Sequence, residues 1–299
     1  MIHEDDFLGG IIIRVRKMPK EEWSNLTVLL PSRRAARKLA DALKIDTPPG
    51  TWLPRFTTLG EWSEEQLRVT TPSRLEQLVE LQQVAESNRK KLTLPEWSSF
   101  ERFQPWGMAA LGDFNTIDHH LLEARQVFRD LRNIKDIESW SFGEPDLRPG
   151  QLRFLEQWNS LLPLYQAFHA HLDEHNSTTS AHLARRMAEE EGWLGQVQGE
   201  IWMAGANALT PAERHTVEKI VRAGKGQWIW DTDLAYVRNG MEAGRFIREV
   251  VPKTQWNALP HPMQDATEGN GAKREWCMIT CSSRTLQSQY VRHIIEQRQ

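Results

Sequence analysis

Two short apolar runs, each feeding a helix, do most to limit the folds open to this chain. At Ile201–Met203 an apolar strand gives way to a small-residue turn, and a helix opens near Thr210 and Pro211. Thr is a good N-cap, Pro is tolerated in the first helical turn, and Glu213 three residues after Thr210 completes a capping box. At Leu26–Leu30 a compact β run is broken by Pro31 and Ser32. A helix follows from Arg33 to Leu43, with Ala36, Leu39, Ala40 and Leu43 on one face at 3/4 spacing. Repeated strand–helix units of this kind predict an α/β sheet.

Between the two units the pattern changes. A short extended piece, Arg55-Phe56-Thr57-Thr58, leads to a helix starting near Leu59, and from there to about Leu194 the spacing is almost wholly helical. One stripe runs through Leu75, Leu78, Val79 and Leu81 to Val84, a second through Phe114, Ile117, Leu121, Leu122, Val127, Phe128 and Leu131. A third, longer stripe joins Leu152, Leu155, Trp158, Leu161, Leu162, Tyr165, Phe168 and Leu172, with breaks expected at Pro95, Pro105, Pro145 and Pro149. After Ile201–Met203 come a helix over Pro211–Ala223, a strand at Trp228-Ile229-Trp230, an irregular stretch from Pro252 to Gly271, and a strand at Trp276–Cys281 before a helix near Thr285–Glu296. The expected organisation is a first part of an α/β domain over 1–60, a helical insertion over 61–195, and a second part of the α/β domain over 196–260. Residues 261–299 would be a linker and the start of a further α/β domain, as in the N-terminal part of a longer polypeptide.

Composition narrows the class. Apolar residues make up 39% and charged residues 26%, as in soluble globular proteins. No apolar run approaches the roughly 20 residues that span a bilayer. The first ten residues carry Glu4, Asp5 and Asp6 where a signal peptide has a basic region, and Ile11–Ile13 is too short an apolar core, so a cytoplasmic location is the expectation. Two cysteines, Cys277 and Cys281, are too few for a disulfide framework or a four-ligand zinc site. A net charge of −3 means that any nucleic-acid contact comes from a local patch. Thirteen tryptophans could stack bases but more commonly fill a core.

The best positive signal is Leu29–Leu43. A strand feeding a helix leaves free N–H groups at the turn, where Ser32, Arg33 and Arg34 sit, with Arg37 and Lys38 one turn on. That combination suits a phosphate, and repeated arginines suit a nucleic-acid backbone; a solvated basic helix start remains equally open. His169, His171, Asp173 and His175 approximate a hydrolase metal motif but lie on a helical pattern, where His169 and His171 point about 200° apart. A polar helix end is the expectation there, and Asp118-His119-His120 is discounted likewise. No P-loop sequence, GxSxG, HExxH or convincing D/E-x-K pair occurs, and Gly224-Lys225-Gly226 reads as a helix C-cap and turn. No metal site and no cofactor is therefore expected within these residues.

Several further segments, taken in order, carry a resemblance. They are Leu26–Leu43, Pro54–Trp62, Pro105-Trp106-Gly107 with Leu111–Asp118, Leu161–Tyr165, Ile201–Glu213 and Trp228–Asp233. Together they resemble the N-terminal, helicase-like region of AddB-type subunits of bacterial helicase–nuclease complexes, proteins of the PD-(D/E)xK nuclease family. The resemblance implies a superfamily I domain 1A-like sheet with a large all-helical, 1B-like insertion and a degenerate ATP site. Where the active motors carry an Asp-Glu pair for Mg²⁺ and water, this chain has Ala204 and Gly205, followed by Ala206, Asn207 and Ala208. The DNA-contacting positions it implies are Ser32, Arg33, Arg34, Arg37, Arg55, Thr57 and Trp62. It also implies a DNA partner, single-stranded or at duplex ends, and an AddA-type helicase subunit. The nuclease that would use Mg²⁺ falls outside this chain, in a role in double-strand-break repair. A protein–protein scaffold without DNA contact, and a metal hydrolase built on the His169 cluster, are the alternatives.

Overall fold

A computed structural model describes residues 7–129, 149–206, 208–232, 234–238, 240–258 and 279–297. Among them, β1 (Leu26–Leu30), β2 (Arg55–Thr58), β3 (Glu200–Ala204) and β4 (Gly226–Ile229) form a four-stranded sheet ordered β2-β1-β3-β4. Each neighbouring pair is parallel, with Thr27 opposite both Arg55 and Ile201, and Met203 opposite Trp228. Helices α1 (Phe7–Arg16) and α2 (Arg33–Ile45) come from the first segment. Between β2 and β3 lie α3 (Leu59–Leu67), α4 (Arg74–Ser87), α5 (Phe100–His119), α6 (Ala124–Val127), α7 (Pro149–Asn159), α8 (Leu161–Glu174) and α9 (Ser180–Glu189). Then come α10 (Pro211–Arg222), α11 (Leu234–Arg238), α12 (Arg245–Val250) and α13 (Arg284–Gln297).

Parallel strands need a crossover to return to the same end of the sheet, so each must be followed by helix. Strand alternation then sorts the core into two layers. Val28, Leu30, Trp202 and Ala204 face α1 and α2, burying Ile11, Val15, Leu39 and Leu43. Leu29, Ile201 and Met203 face the other way, against Trp62 of α3, Leu183 and Met187 of α9, and Val217 and Ile220 of α10. The insertion has a core of its own, in which Leu81, Phe103, Leu111, Phe114, Leu164 and Phe168 are buried together. Its two ends, α3 and α9, nevertheless pack on the sheet, so the helical segment is not a detached bundle.

Several expectations change. The α1 helix was not expected as an element; its Ile11, Ile12 and Val15 supply part of one sheet face. Pro105 does not break the insertion but sits inside α5, near its start, while Pro149 opens α7. Of the strand expected over Trp276–Cys281, Ile279, Thr280 and Cys281 form no strand, and residues 276–278 lie outside the described residues, as do Leu131, Pro145 and Cys277. A run of apolar residues becomes a strand only with a paired neighbour, and here none is present among the described residues. The expected helix that follows is present as α13, with no buried residue. No described helix is long and apolar enough to cross a membrane.

Candidate functional site

The chain leaves β1 for β2 on one side and later resumes at β3 on the other, so the order reverses between β1 and β3. In open parallel sheets, ligands bind outside the carboxyl ends of the strands at such a reversal. A cavity of about 300 Å³ lies there, lined by Leu30, Pro31, Thr58, Met203, Gly205 and Glu213. A second, of about 270 Å³, shares Thr58, Leu59, Gly60 and Glu213 with it and continues past Arg33 and Glu61 to His119 and Ser180. Together they make one groove from the sheet end to the insertion.

Three helix N-termini converge on this groove, each capped by its own sequence. Ser32 caps α2, its hydroxyl accepting from the Ala35 N–H at 3.2 Å. Thr58 caps α3 and Thr210 caps α10, each in a capping box closed by Glu61 and Glu213 respectively. Those two carboxylates already occupy the positive ends of their helices, where an anionic ligand would otherwise sit. α2 has no acidic residue in its first turn, so its N-terminus remains the one of the three suited to a phosphate.

The positions expected to contact DNA are therefore divided. Arg34 and Arg37 are exposed on α2 with Lys38, without an ion pair among the described residues. Ser32 is exposed, its hydroxyl serving as the cap. Arg33, also exposed, bonds to the Glu61 carboxylate, and Arg55 bonds to Glu65. Glu61 and Glu65 stand four apart on one face of α3, so this helix neutralises both arginines. Thr57 is buried, its hydroxyl donating to Glu61 at 2.9 Å. Arg55 also starts β2 rather than ending it, so it does not extend the strip at the carboxyl end of the sheet. Burial of Glu61 disfavours its charge, but the Thr57 hydroxyl, the Thr58 backbone and Arg33 outweigh it and hold the carboxyl below its ordinary range.

Trp62 needs a larger correction. Its ring is 3% exposed and meets Trp193 edge-on, centroids 5.6 Å apart. A nucleobase cannot reach it, because the apolar face of α3 that carries Trp62 is the face packed on the sheet. Trp52, on the loop before β2, is by contrast 79% exposed.

At the end of β3, Ala204 is fully buried and Gly205 turns the chain at φ +71°, its N–H donating to the Ile229 carbonyl at 2.9 Å. Neither carries a group that could hold Mg²⁺, and Asn207 lies outside the described residues. Three carboxylates line the groove: Glu61 and Glu213 are engaged as caps, and Glu64 accepts from the Thr71 N–H at 3.1 Å. Glu61 escaped the sequence reading, although Thr58-x-x-Glu61 repeats the pattern of Thr210-x-x-Glu213. Purified protein is expected to show no metal-dependent ATP turnover above a heat-killed control; turnover that scales with protein and needs Mg²⁺ would contradict this assignment.

The histidine expectation is overturned in part. His175 is exposed and His171 meets Glu80 at 2.6 Å, as a polar helix end would. His169 is instead buried on the inner face of α8, beside Asp118 of α5, itself fully buried, and His182 of α9. The His169 Nε2 lies 3.2 Å from Asp118 Oδ2, and the His182 Nδ1 lies 3.5 Å from Oδ1. Tyr165 donates to Oδ1 at 2.5 Å, and Arg185 stands 3.6 Å from the same oxygen. Burial opposes the Asp118 charge, yet His169 and His182 hold its carboxyl well below the usual carboxylate range. Burial lowers His169 in spite of Asp118, and burial together with Asp118 raises the Tyr165 phenol. The local signal for this cluster was that Asp118 shares the apolar stripe of Leu111 and Phe114, and His169 that of Tyr165 and Leu172.

No protein-family model matches the chain, and a comparison with curated proteins finds no match.

Proposed function

We propose that this chain is an inactivated, helicase-like module that holds single-stranded DNA along the groove at the carboxyl ends of its sheet. The observation that carries this is topological. A wholly parallel β2-β1-β3-β4 sheet admits a helical insertion between β2 and β3, with a groove at its order reversal where Glu61 and Glu213 are engaged as caps and Glu64 by the Thr71 N–H. A motor-like frame with that chemistry can bind a strand without turning over nucleotide. Contact falls to the open N-terminus of α2 and to Arg34, Arg37 and Lys38, which stand at i, i+3 and i+4 on one helix face. The reading draws on the resemblance to AddB-type proteins of the PD-(D/E)xK nuclease family. With it go a superfamily I helicase partner and a role in DNA-break repair, while no catalytic residue is assigned in this chain.

Phosphate contacts make binding salt-dependent, with a slope of log K against log salt near −0.7 per phosphate neutralised on a single strand. An Arg34→Ala, Arg37→Ala double variant is expected to weaken binding of a labelled oligonucleotide for all sequences alike. Its salt slope should flatten by up to about 1.4. Arg33→Ala is expected to do less, because Arg33 is already paired with Glu61. Fluorescence anisotropy across salt provides the measurement. Absence of wild-type binding at low salt, or identical titrations of wild type and double variant, would leave the scaffold reading in front. The pairing of Arg33 and Arg55 with α3 is the observation that favours that second reading.

A further inference from the structure

We propose that Asp118, His169 and His182 bind a single first-row divalent metal ion of the zinc type, which pins α5, α8 and α9 together inside the insertion. The three residues come from separate helices, and one ligand atom from each lies within 4.8 Å of the others. Two imidazoles and a carboxylate are a donor set that suits zinc and its neighbours in the first row. Ligands about 2.0–2.1 Å from a tetrahedral ion stand roughly 3.4 Å apart, and the His169 Nε2 to Asp118 Oδ2 distance of 3.2 Å is of that size.

The decisive observation is what these atoms lack. Both ring nitrogens of His169, the Nδ1 of His182 and the Oδ2 of Asp118 are buried, and although the histidines face the carboxylate at 3.2 and 3.5 Å, none of these atoms makes an aligned hydrogen bond. Buried polar groups are rarely left so, and a bound water or ion is a standard explanation. The two carboxylate oxygens also differ in their surroundings. Tyr165, Arg185 and, at 3.5 Å, the His182 Nδ1 all approach Oδ1, which leaves Oδ2 facing His169. Arg185 is held back by its own partners, the Leu122 carbonyl at 2.8 Å and Glu189 at 3.0 Å. A ligating carboxylate oriented by outer hydrogen bonds through its second oxygen is the usual arrangement around such ions. Asp118 moreover lies one residue from the C-terminus of α5, where the helix dipole disfavours a carboxylate and favours a cation.

One adjustment is required. The His169 and His182 rings stack at 3.8 Å with planes 19° apart, and two parallel planes cannot both contain one ion. The His182 ring, the more exposed of the two, must turn about its side-chain torsions as the ion enters.

The test uses the whole chain without a histidine tag, stripped with chelator and dialysed. Zinc is expected to bind at one equivalent and to raise the melting temperature, and chelator to reverse the rise. Cobalt is expected to bind at the same site and give visible d–d absorption of tetrahedral strength. His182→Gln is expected to weaken zinc binding by at least tenfold, whereas a His171→Gln, His175→Gln double variant should bind as wild type does. Absence of zinc binding and of a cobalt spectrum in the wild type would overturn the proposal whether or not any variant folds. So would equal zinc affinity in the folded His182→Gln variant, or loss of the site in the His171, His175 variant.

Discussion

Replacing Trp62 by alanine is expected to lower the unfolding free energy by about 3–5 kcal/mol, the cost of deleting a large buried ring. The ring is 3% exposed and lies in the cluster formed by Leu29, Leu183, Met187, Trp193 and Met203. It is the point at which α3 meets both the sheet and α9, so the vacated volume cannot collapse without moving one of those elements. The edge-on contact with Trp193 at 5.6 Å adds about 0.5–1.5 kcal/mol beyond area. A fall in melting temperature on the order of 10 °C should accompany the loss. Trp62→Phe retains an aromatic ring and should cost less. Urea unfolding followed by far-UV circular dichroism gives the values, and oligonucleotide binding at temperatures where each variant is folded gives the control. A solvent-facing stacking ring would behave the other way, with binding reduced and stability unchanged; that outcome would remove the core assignment.

The contrast between Trp62 and Arg34 shows which signals a sequence carries. Strand-then-helix order, the Thr210 cap and the Glu213 capping box depend on residues within a few positions of one another, and the structure contains them where they are expected. Which side of α3 faces the sheet depends on where β1, α9 and α10 lie, and nothing within Leu59–Leu67 states it. Glu61 and Glu65 could be seen as an i, i+4 acidic pair, yet their partners Arg33 and Arg55 come from α2 and β2 and are joined only by the fold.

The Asp118 cluster is harder still. Its members sit on α5, α8 and α9; Asp118 and His169 read from the sequence as polar positions on helices, and nothing local marks His182. Charged and polar residues on apolar stripes were visible, but their convergence was not. The opposite failure occurred at Ile279–Cys281, where local β-propensity is present and no pairing strand supports it among the described residues.

Gly199→Ala is expected to destabilise the chain by about 3 kcal/mol or more, through two contributions that can be separated. Gly199 sits at φ +75°, just before β3, in a region that costs an L-residue about 1–2 kcal/mol. A Cβ there would also lie 1.9 Å from the Asn25 carbonyl oxygen and 2.8 Å from its carbon. Those are backbone atoms one residue before β1, where Leu26 pairs with Glu200, so relief requires the two central strands to part at their first register pair. Gly224 isolates the conformational contribution. It has φ +67° at the C-terminal turn of α10, and nothing lies within 4 Å of a Cβ built on it. Gly224→Ala should therefore cost only about 1–2 kcal/mol, and the excess at Gly199 measures the close approach of β1 and β3. Chemical denaturation of both variants beside the wild type supplies the comparison. Equal losses at the two positions would show that the Asn25 backbone yields freely, and that the groove at the far end of β1 and β3 rests on a looser strand pair than the register indicates.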